Sequence, residues 1–299
     1  MSGFKSGFVT IIGRPNAGKS TLLNRLVGSK IAIVSEKPQT TRNSSRGIVG
    51  DEEFQAVFLD TPGVNRPRNK LEERMMTAVS DSLDGCDIIL YLVDGSDTFG
   101  AGEEYIIENI LKKQKCPVFL LVNKIDLLNA EQLLPLLAAY SQKFDFKEVI
   151  PLSGKSGDNT DELMRVLKQY LPEGPQYYPP GMHCDMPEQF LLAELIREQV
   201  LRRTAQEVPH SVAVTIAAME ERPGGKLYVD ANIYVERDSQ KGIIIGKGGK
   251  MLREIGSGAR AEMERLLSCP IYLDLHVRAK KDWRDNESLL KNWDLTTDD

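Results

Sequence analysis

Apolar and polar positions follow two different patterns along the chain, and the change between them falls near residue 172. Before it, short apolar runs alternate with longer amphipathic stretches. Val9, Ile11 and Ile12, then residues 54–60, 87–94, 116–122 and 147–152, read as buried strands. Residues 21–27, 71–83, 103–115, 130–143 and 159–171 carry helical spacing between them. A polar segment without helical periodicity leads to a further strand near Arg46–Gly50. Strand and helix in alternation predict a mostly parallel sheet covered on both faces, an α/β domain over residues 1–172.

Residues 172–187, PEGPQYYPPGMHCDMP, are too rich in proline and glycine for a regular element. They predict a semi-rigid linker, taken as residues 173–187. Beyond it, residues 188–206 are helical, with Leu192, Ile196 and Val200 on one face. Two alternating strands follow, through Val212–Ala218 and Val229–Val235, joined by a turn at Pro223-Gly224-Gly225. A glycine-centred pair of helices and a third alternating strand, Ile271–Val277, complete an α-β-β-α-α-β domain over residues 188–299. The last residues, Thr297-Asp298-Asp299, are expected to fray.

With 299 residues, 41% hydrophobic and 27% charged, the chain has ample core for two globular domains. A net charge of −5 requires any nucleic-acid surface to be a local patch. Cys86, Cys116, Cys184 and Cys269 lie far apart with no C-x-x-C pair, which argues against a disulfide framework or a zinc site and favours a reducing compartment. His183-Cys184 has no second pair of ligands. The N-terminus has no secretory apolar region and no run is long enough to span a membrane, so a cytoplasmic location is expected.

The chemistry collects at the ends of the strands. After the first strand comes Gly13-Arg14-Pro15-Asn16-Ala17-Gly18-Lys19-Ser20-Thr21, spaced G-x-x-x-x-G-K-[ST]. Gly13 and Gly18 are expected to adopt torsions closed to other residues, so that backbone N–H groups and the following helix N-terminus face phosphate oxygens. Lys19 would reach the β- and γ-phosphates and Ser20 would bind Mg²⁺. The strand through residue 60 ends in Asp60-Thr61-Pro62-Gly63, where Asp60 could hold Mg²⁺ through water and the Gly63 N–H could approach the terminal phosphate. Taken singly, each is also an ordinary turn. The strand through residue 122 ends in Asn123-Lys124-Ile125-Asp126. The Asp126 carboxylate can accept from N1–H and N2–H₂ of guanine, a donor pair adenine lacks. Asn123 would tie this loop to the phosphate loop, and the Lys124 stem would cover the base. Ser153-Gly154-Lys155 would meet guanine O6 through main-chain N–H. Asp94 reads as a strand-end turn residue.

GRPNAGKS, QTTR, DTPG, NKID and SGK together resemble the five nucleotide-binding motifs of the translation-associated P-loop GTPases over residues 8–172, and PQTTR at 38–42 is similar to the Era family. The resemblance implies a GTP hydrolase cycling between GTP and GDP with Mg²⁺. It makes Thr41, with Thr40 as the alternative, the residue that closes over the metal and γ-phosphate. Lys19, Thr41 and Asn16 are then the candidate catalytic residues, and Ser20, Thr41 and Asp60 the candidate metal ligands. The last motif departs from the usual Ser-Ala-Lys by Gly154, which leaves a main-chain contact intact. Val64 follows D-T-P-G and no glutamine lies within 64–70, so slow intrinsic turnover is expected. The resemblance further implies that K⁺ takes the place of an arginine finger, with the loop asparagine, here Asn16, as a ligand; a loop-bracing hydrogen bond is the alternative role for Asn16. Arg66 and Arg68 read as solvated.

In the second domain, Ile244-Ile245-Gly246-Lys247-Gly248-Gly249 sits between the two helices and resembles the G-x-x-G loop of KH domains, which clamps about four nucleotides. With the element order, this implies an α+β type II KH domain. Lys241, Ile245, Gly246, Lys247, Gly248, Gly249, Lys250 and Arg253 are the candidate RNA-binding residues, with Arg260, Arg278, Lys280 and Lys281 as further positive charge. The resemblance to the Era family implies a monomeric GTP-controlled switch on the 3′ end of 16S rRNA, acting in 30S subunit assembly, with a peripheral contact at the inner membrane face. Two other readings stay open: a membrane-associated signalling or cell-cycle regulator, and an RNA-binding module that holds GTP structurally.

Overall fold

A computed structural model describes residues 3–37, 40–204 and 208–293. The chain divides into two units: residues 1–32, 41–67 and 74–185, and residues 33–40, 68–73 and 186–299. The linker segment expected at 173–187 therefore clusters, up to Asp185, with the first unit. Antiparallel bridges from Lys5 to Glu173 and from Gly47 to Cys184 fasten it there.

The first unit is built on six strands, β1 (Lys5–Ile12), β2 (Ser45–Gly50), β3 (Phe54–Asp60), β4 (Ile88–Asp94), β5 (Val118–Asn123) and β6 (Glu148–Pro151). Their order in the sheet is β2-β3-β1-β4-β5-β6. All neighbours are parallel except β2 and β3, which pair antiparallel with Ser45 opposite Asp60. The helices are α1 (Lys19–Val27), α2 (Lys70–Leu83, of which residues 74–83 belong to this unit), α3 (Ala101–Asn109), α4 (Ala130–Ser141) and α5 (Thr160–Tyr170). The strands alternate between two buried layers, as their period of two requires. Val9, Ile11, Leu90, Leu92, Phe119 and Leu121 pack with Leu22, Leu23, Leu163 and Leu167 of α1 and α5. Ile12, Ile89, Tyr91, Val93, Leu120 and Val122 pack with Val79, Ile106 and Tyr140 of α2, α3 and α4. Every parallel strand thus delivers its C-terminal end, and the loop after it, to one edge of the sheet.

The predicted elements are present with shifted ends. The helix after the glycine loop begins at Lys19, two residues earlier than its apolar face suggested, because its first turn is polar. The helix expected at 103–115 stops at Asn109 and continues as a single tight turn, Leu111–Lys113.

The second unit holds α6 (Glu188–Arg203), β7 (Ala213–Arg222), β8 (Lys226–Val235), α7 (Asp238–Ile245), α8 (Lys250–Leu267) and β9 (Ile271–Ala279). Strand β8 is central, antiparallel to β7 and parallel to β9. Leu192, Ile196 and Val200 of α6 and Ile255, Ala259 and Met263 of α8 cover Val229, Ala231 and Ile233. A further helix, α9 (Glu287–Trp293), was not expected from a sequence with so short an apolar repeat. It is anchored by aromatic stacking: the Trp293 ring lies 4.3 Å from that of Tyr234, and Trp283 beside it is buried. Pro38 and Gln39 of PQTTR, and the residues after Trp293, lie outside the described residues.

Candidate nucleotide-binding site and nucleic-acid interface

The loop between β1 and α1 closes because its glycines are required in different ways. Gly18 adopts φ 98°, and Asn16 is also left-handed at φ 65°. Gly13 has no positive φ, contrary to the expected freedom of torsion. A Cβ there would lie 2.2 Å from the Leu92 carbonyl oxygen, so its requirement is steric. Gly63 is constrained in the same way, a Cβ falling 2.7 Å from Pro15 Cα. This brings the D-T-P-G turn against the phosphate loop, where the Val64 N–H donates to the Gly13 carbonyl at 3.0 Å.

Lys19 lies buried beneath the loop, its Nζ donating to the carbonyls of Gly13 at 3.3 Å and Arg14 at 3.2 Å. Burial lowers its pKa, with the charge of Asp60 opposing. Asp60 is raised by burial, with Lys19, Ser20 and Thr41 opposing. Both shifts come first from holding the group out of water, which disfavours its charged form. The Ser20 hydroxyl donates to Asp60 Oδ2 at 2.6 Å, and Thr41 Oγ1 lies 2.8 Å from Ser20 Oγ. Asp60 Oδ1 is buried without a hydrogen-bond partner. Two hydroxyls and a carboxylate with an unused oxygen are the hard donor set that Mg²⁺ takes. The Thr40 hydroxyl instead donates to the Lys37 carbonyl at 2.6 Å.

Asn123 joins three loops. Its Nδ2 donates to the Ala17 carbonyl at 2.7 Å, and its Oδ1 accepts from the Gly154 N–H at 2.9 Å. Asp126 Oδ1 accepts from the Ser153 hydroxyl at 2.6 Å, a side-chain contact that main-chain reasoning about Ser153 missed. Lys124, left-handed at φ 66°, places its Nζ 2.5 Å from Asp94 Oδ2. The lysine stem is thereby steadied by the residue read as a turn former. Lys155 is exposed. Arg14 carries a second contact that sequence spacing could not reveal. Its guanidinium bridges Glu103 at 2.9 Å and Asp97 at 3.1 Å, and its pKa is raised first by the Glu103 hydrogen bond.

In the second unit, α7 ends at Ile245 and α8 begins at Lys250, with Gly246 at φ 70°, Gly248 at 60° and Gly249 at 74° between them. A Cβ on Gly248 or Gly249 would meet nothing within 4 Å, so open space lies over the loop. Lys247, Lys250 and Arg253 are exposed around it, and Arg253 donates to the Gly248 carbonyl at 3.1 Å. Lys241 and Ile245 are half-buried on α7. Arg278 and Arg260 are engaged elsewhere, with Asn232 at 2.6 Å and Glu264 at 3.9 Å. Among the described residues, no group of three or more His, Cys, Asp or Glu could hold a metal ion.

The comparisons agree with this division. The family model described as 50S ribosome-binding GTPase matches residues 8–124, and the KH domain model matches residues 207–284. A crystal structure of Era in complex with MgGDPNP and nucleotides 1506–1542 of 16S ribosomal RNA matches with a TM-score of 0.95 and 38% identity, over 98% of this chain and 100% of that one. A single-substitution variant of Aquifex aeolicus Era bound to GDP·AlF₄⁻ matches equally, with a TM-score of 0.95, 38% identity and the same coverage. A P-loop GTPase fold followed by a KH fold, in one chain that matches these relatives from end to end, makes this chain a member of the Era family of GTPases.

Proposed function

We propose that this chain is a GTP-hydrolysing switch that holds single-stranded RNA, the 3′ end of 16S rRNA, during assembly of the 30S subunit. The observation that carries the reading is the convergence of Lys19, Ser20, Thr41 and Asp60 on the β1–α1 loop of a chain that also exposes an open G-x-x-G loop.

In this reading the loop N–H groups and the buried Lys19 ammonium neutralise the β- and γ-phosphates. Asp126 accepts from the guanine N1–H and N2–H₂, and Asn123 keeps that carboxylate in register with the phosphate loop. Ser20, Thr41 and Asp60 would hold Mg²⁺, which when bound neutralises charge on the phosphate oxygens. Hydrolysis requires positioning more than covalent chemistry. Val64 cannot orient a water, so intrinsic turnover is slow, and Asn16 serves as a K⁺ ligand that raises it. Equal hydrolysis rates in K⁺ and Na⁺ buffers would sink the potassium assignment.

Lys247, Lys250 and the N–H groups of the G-x-x-G loop take RNA phosphates. Replacing Lys247 and Lys250 with Asp weakens RNA binding and leaves nucleotide affinity unchanged; unaltered RNA affinity refutes the assignment. Single-turnover hydrolysis no faster than in Lys19→Ala favours GTP as a structural ligand. Crosslinking of the GTP-bound protein in cells, followed by sequencing of the attached RNA, tests the rRNA assignment. Among the described residues no helix is long and apolar enough to cross a membrane. The membrane contact we propose is peripheral, and liposome flotation tests it.

A further inference from the structure

Cys86 and Cys116, thirty residues apart in sequence, meet in space, with their sulfurs 3.6 Å apart. Each precedes its strand by two residues, β4 for Cys86 and β5 for Cys116, at the edge of the sheet opposite the nucleotide loops. The strands are adjacent and parallel, and at this end the Ile89 N–H donates to the Pro117 carbonyl at 2.9 Å. Strands so paired lie about 4.8 Å apart. The pairing sets Ile89 opposite Val118, three residues after Cys86 and two after Cys116, so the cysteines are one residue out of register and the short sulfur–sulfur distance is what brings them together. Bond formation requires the sulfurs to close by only about 1.5 Å, to about 2.05 Å.

We propose that Cys86 and Cys116 form a dithiol that a hydroperoxide oxidises to an intramolecular disulfide, a modification site separate from the nucleotide and RNA sites. Both thiols are free and half-buried, packed against the same apolar layer as Val79 and Ile106. The two are not equivalent. The contact with Cys86 lowers the Cys116 pKa to about 7, while Cys86 is pushed up by the same contact and by burial. The Asp87 carboxylate raises both, and Thr10 beside Cys86 lowers it. Cys116 is therefore the attacking thiolate.

The Cys116 thiolate attacks one peroxide oxygen and the O–O bond breaks. The leaving hydroxide takes up the proton that Cys116 released on ionising and becomes water, and Cys116 becomes a sulfenic acid. The Cys86 thiol then attacks the Cys116 sulfur, forming the S–S bond and releasing the sulfenic oxygen as a second water. The two sulfurs lose two electrons in total and the peroxide gains them. Strand β4 runs for seven residues from this edge to Asp94, so the disulfide forms about 20 Å from the guanine loop. Oxidation therefore leaves GDP affinity unaltered.

The test uses the reduced full-length chain, treated with hydrogen peroxide, alkylated, and mapped by mass spectrometry without reduction. The expected result is a fall from four free thiols to two, with one linked peptide pair joining Cys86 to Cys116 and lighter by two hydrogens. Cys184 and Cys269 remain alkylated and serve as internal references. Cys116→Ser slows peroxide reaction at Cys86 by about tenfold or more, and Cys86→Ser leaves Cys116 as sulfenic or sulfinic acid. Retention of four thiols, a link to Cys184 or Cys269, or equal reactivity of Cys86 in Cys116→Ser overturns the proposal. The wild-type map decides even if a variant fails to fold. GDP binding by the oxidised chain separates this proposal from the nucleotide-site reading, which would fail on its own if the reduced chain bound no GDP.

Discussion

Asn123→Ala is a direct test of how the nucleotide site is held together. The side chain is 3% exposed and makes two buried hydrogen bonds, to Ala17 on the phosphate loop and from Gly154 after β6. Alanine removes both and leaves a buried carbonyl and a buried N–H without partners. Each orphaned group costs about 1–3 kcal/mol, so the pair amounts to roughly 2–6 kcal/mol. Water reaching the vacated space brings the expectation to the lower half, about 2–4 kcal/mol. In the proposed site a nucleotide spans both loops and must reassemble them, so the dissociation constant for GDP is expected to rise by roughly 30- to 1000-fold. Fluorescent GDP displacement reads this directly. Asn123→Asp sharpens the test. A carboxylate still accepts from Gly154 but sets an oxygen against the Ala17 carbonyl, so it should bind no better than the alanine variant. If Asn123→Ala binds GDP within about threefold of wild type, the loss is under about 0.7 kcal/mol. The bridge is then incidental, and contacts such as Val64 N–H to Gly13 hold the loops instead.

Four further outcomes are expected. Asp126→Asn replaces an acceptor with a donor at the base edge, so binding should shift from guanine toward xanthine nucleotides by roughly 10²-fold or more, measured by competition; retained guanine preference contradicts the assignment. Burial lowers Lys19 below 10.5, so above its lowered value the unfolded chain holds a proton the folded chain lacks, and its contribution to stability rises with pH up to 10.5. Asp60, raised above 3.8, does the opposite, its contribution falling as pH climbs from 3.8 through the raised value. In the proposed site the GDP phosphates favour the charged Lys19, so calorimetry in buffers of contrasting ionisation enthalpy, scanned upward toward pH 10.5, should detect proton uptake on binding; its absence at every pH refutes the buried-lysine account. Arg14→Ala removes the counter-ion of the buried Glu103, which among the described residues keeps only the Gly100 N–H at 3.2 Å, and should lower the melting temperature of the first unit by several degrees, about 1–2 kcal/mol, with Arg14→Ala/Glu103→Gln recovering part of it.

The strands were legible in the sequence because a parallel strand covered on both faces must be apolar along its whole length, as residues 88–93 and 118–122 are. The motifs were legible for a related reason: each sits where such a run stops abruptly in Gly13, Asp60 or Asn123. What could not be read depends on which residues the fold brings together. Arg14 and Glu103 lie on different strand–helix units, and no spacing rule connects them. The same is true of Cys86 and Cys116, which seemed far apart until β4 and β5 paired side by side. The Pro-rich stretch after residue 172 reads as a semi-rigid linker, and no spacing rule shows that Gln55 receives the N–H groups of Tyr177 and Tyr178 at 2.9 Å each, or that the segment up to Asp185 clusters with the first unit. Helix α9 escaped notice because two tryptophans and Tyr234, not a periodic face, hold it.

The glycines of the two sites bring phosphate close to backbone by opposite routes, and the difference can be measured. At Gly13 the obstacle to a side chain is the protein itself, the Leu92 carbonyl oxygen only 2.2 Å from a would-be Cβ. At Gly248 nothing lies within 4 Å, and the obstacle in the free chain is the left-handed backbone alone, φ 60°. Gly13→Ala must therefore displace a strand backbone, and the first unit should lose stability in the absence of any ligand. Gly248→Ala should fold, at a cost of about 1–2 kcal/mol for the left-handed alanine. Its larger effect should appear only when an RNA backbone occupies the open space and meets the added methyl. Melting curves and RNA titrations on the same two variants separate the cases. If Gly248→Ala destabilises the free chain as much as Gly13→Ala, or leaves RNA affinity unchanged, that space is not where the strand lies.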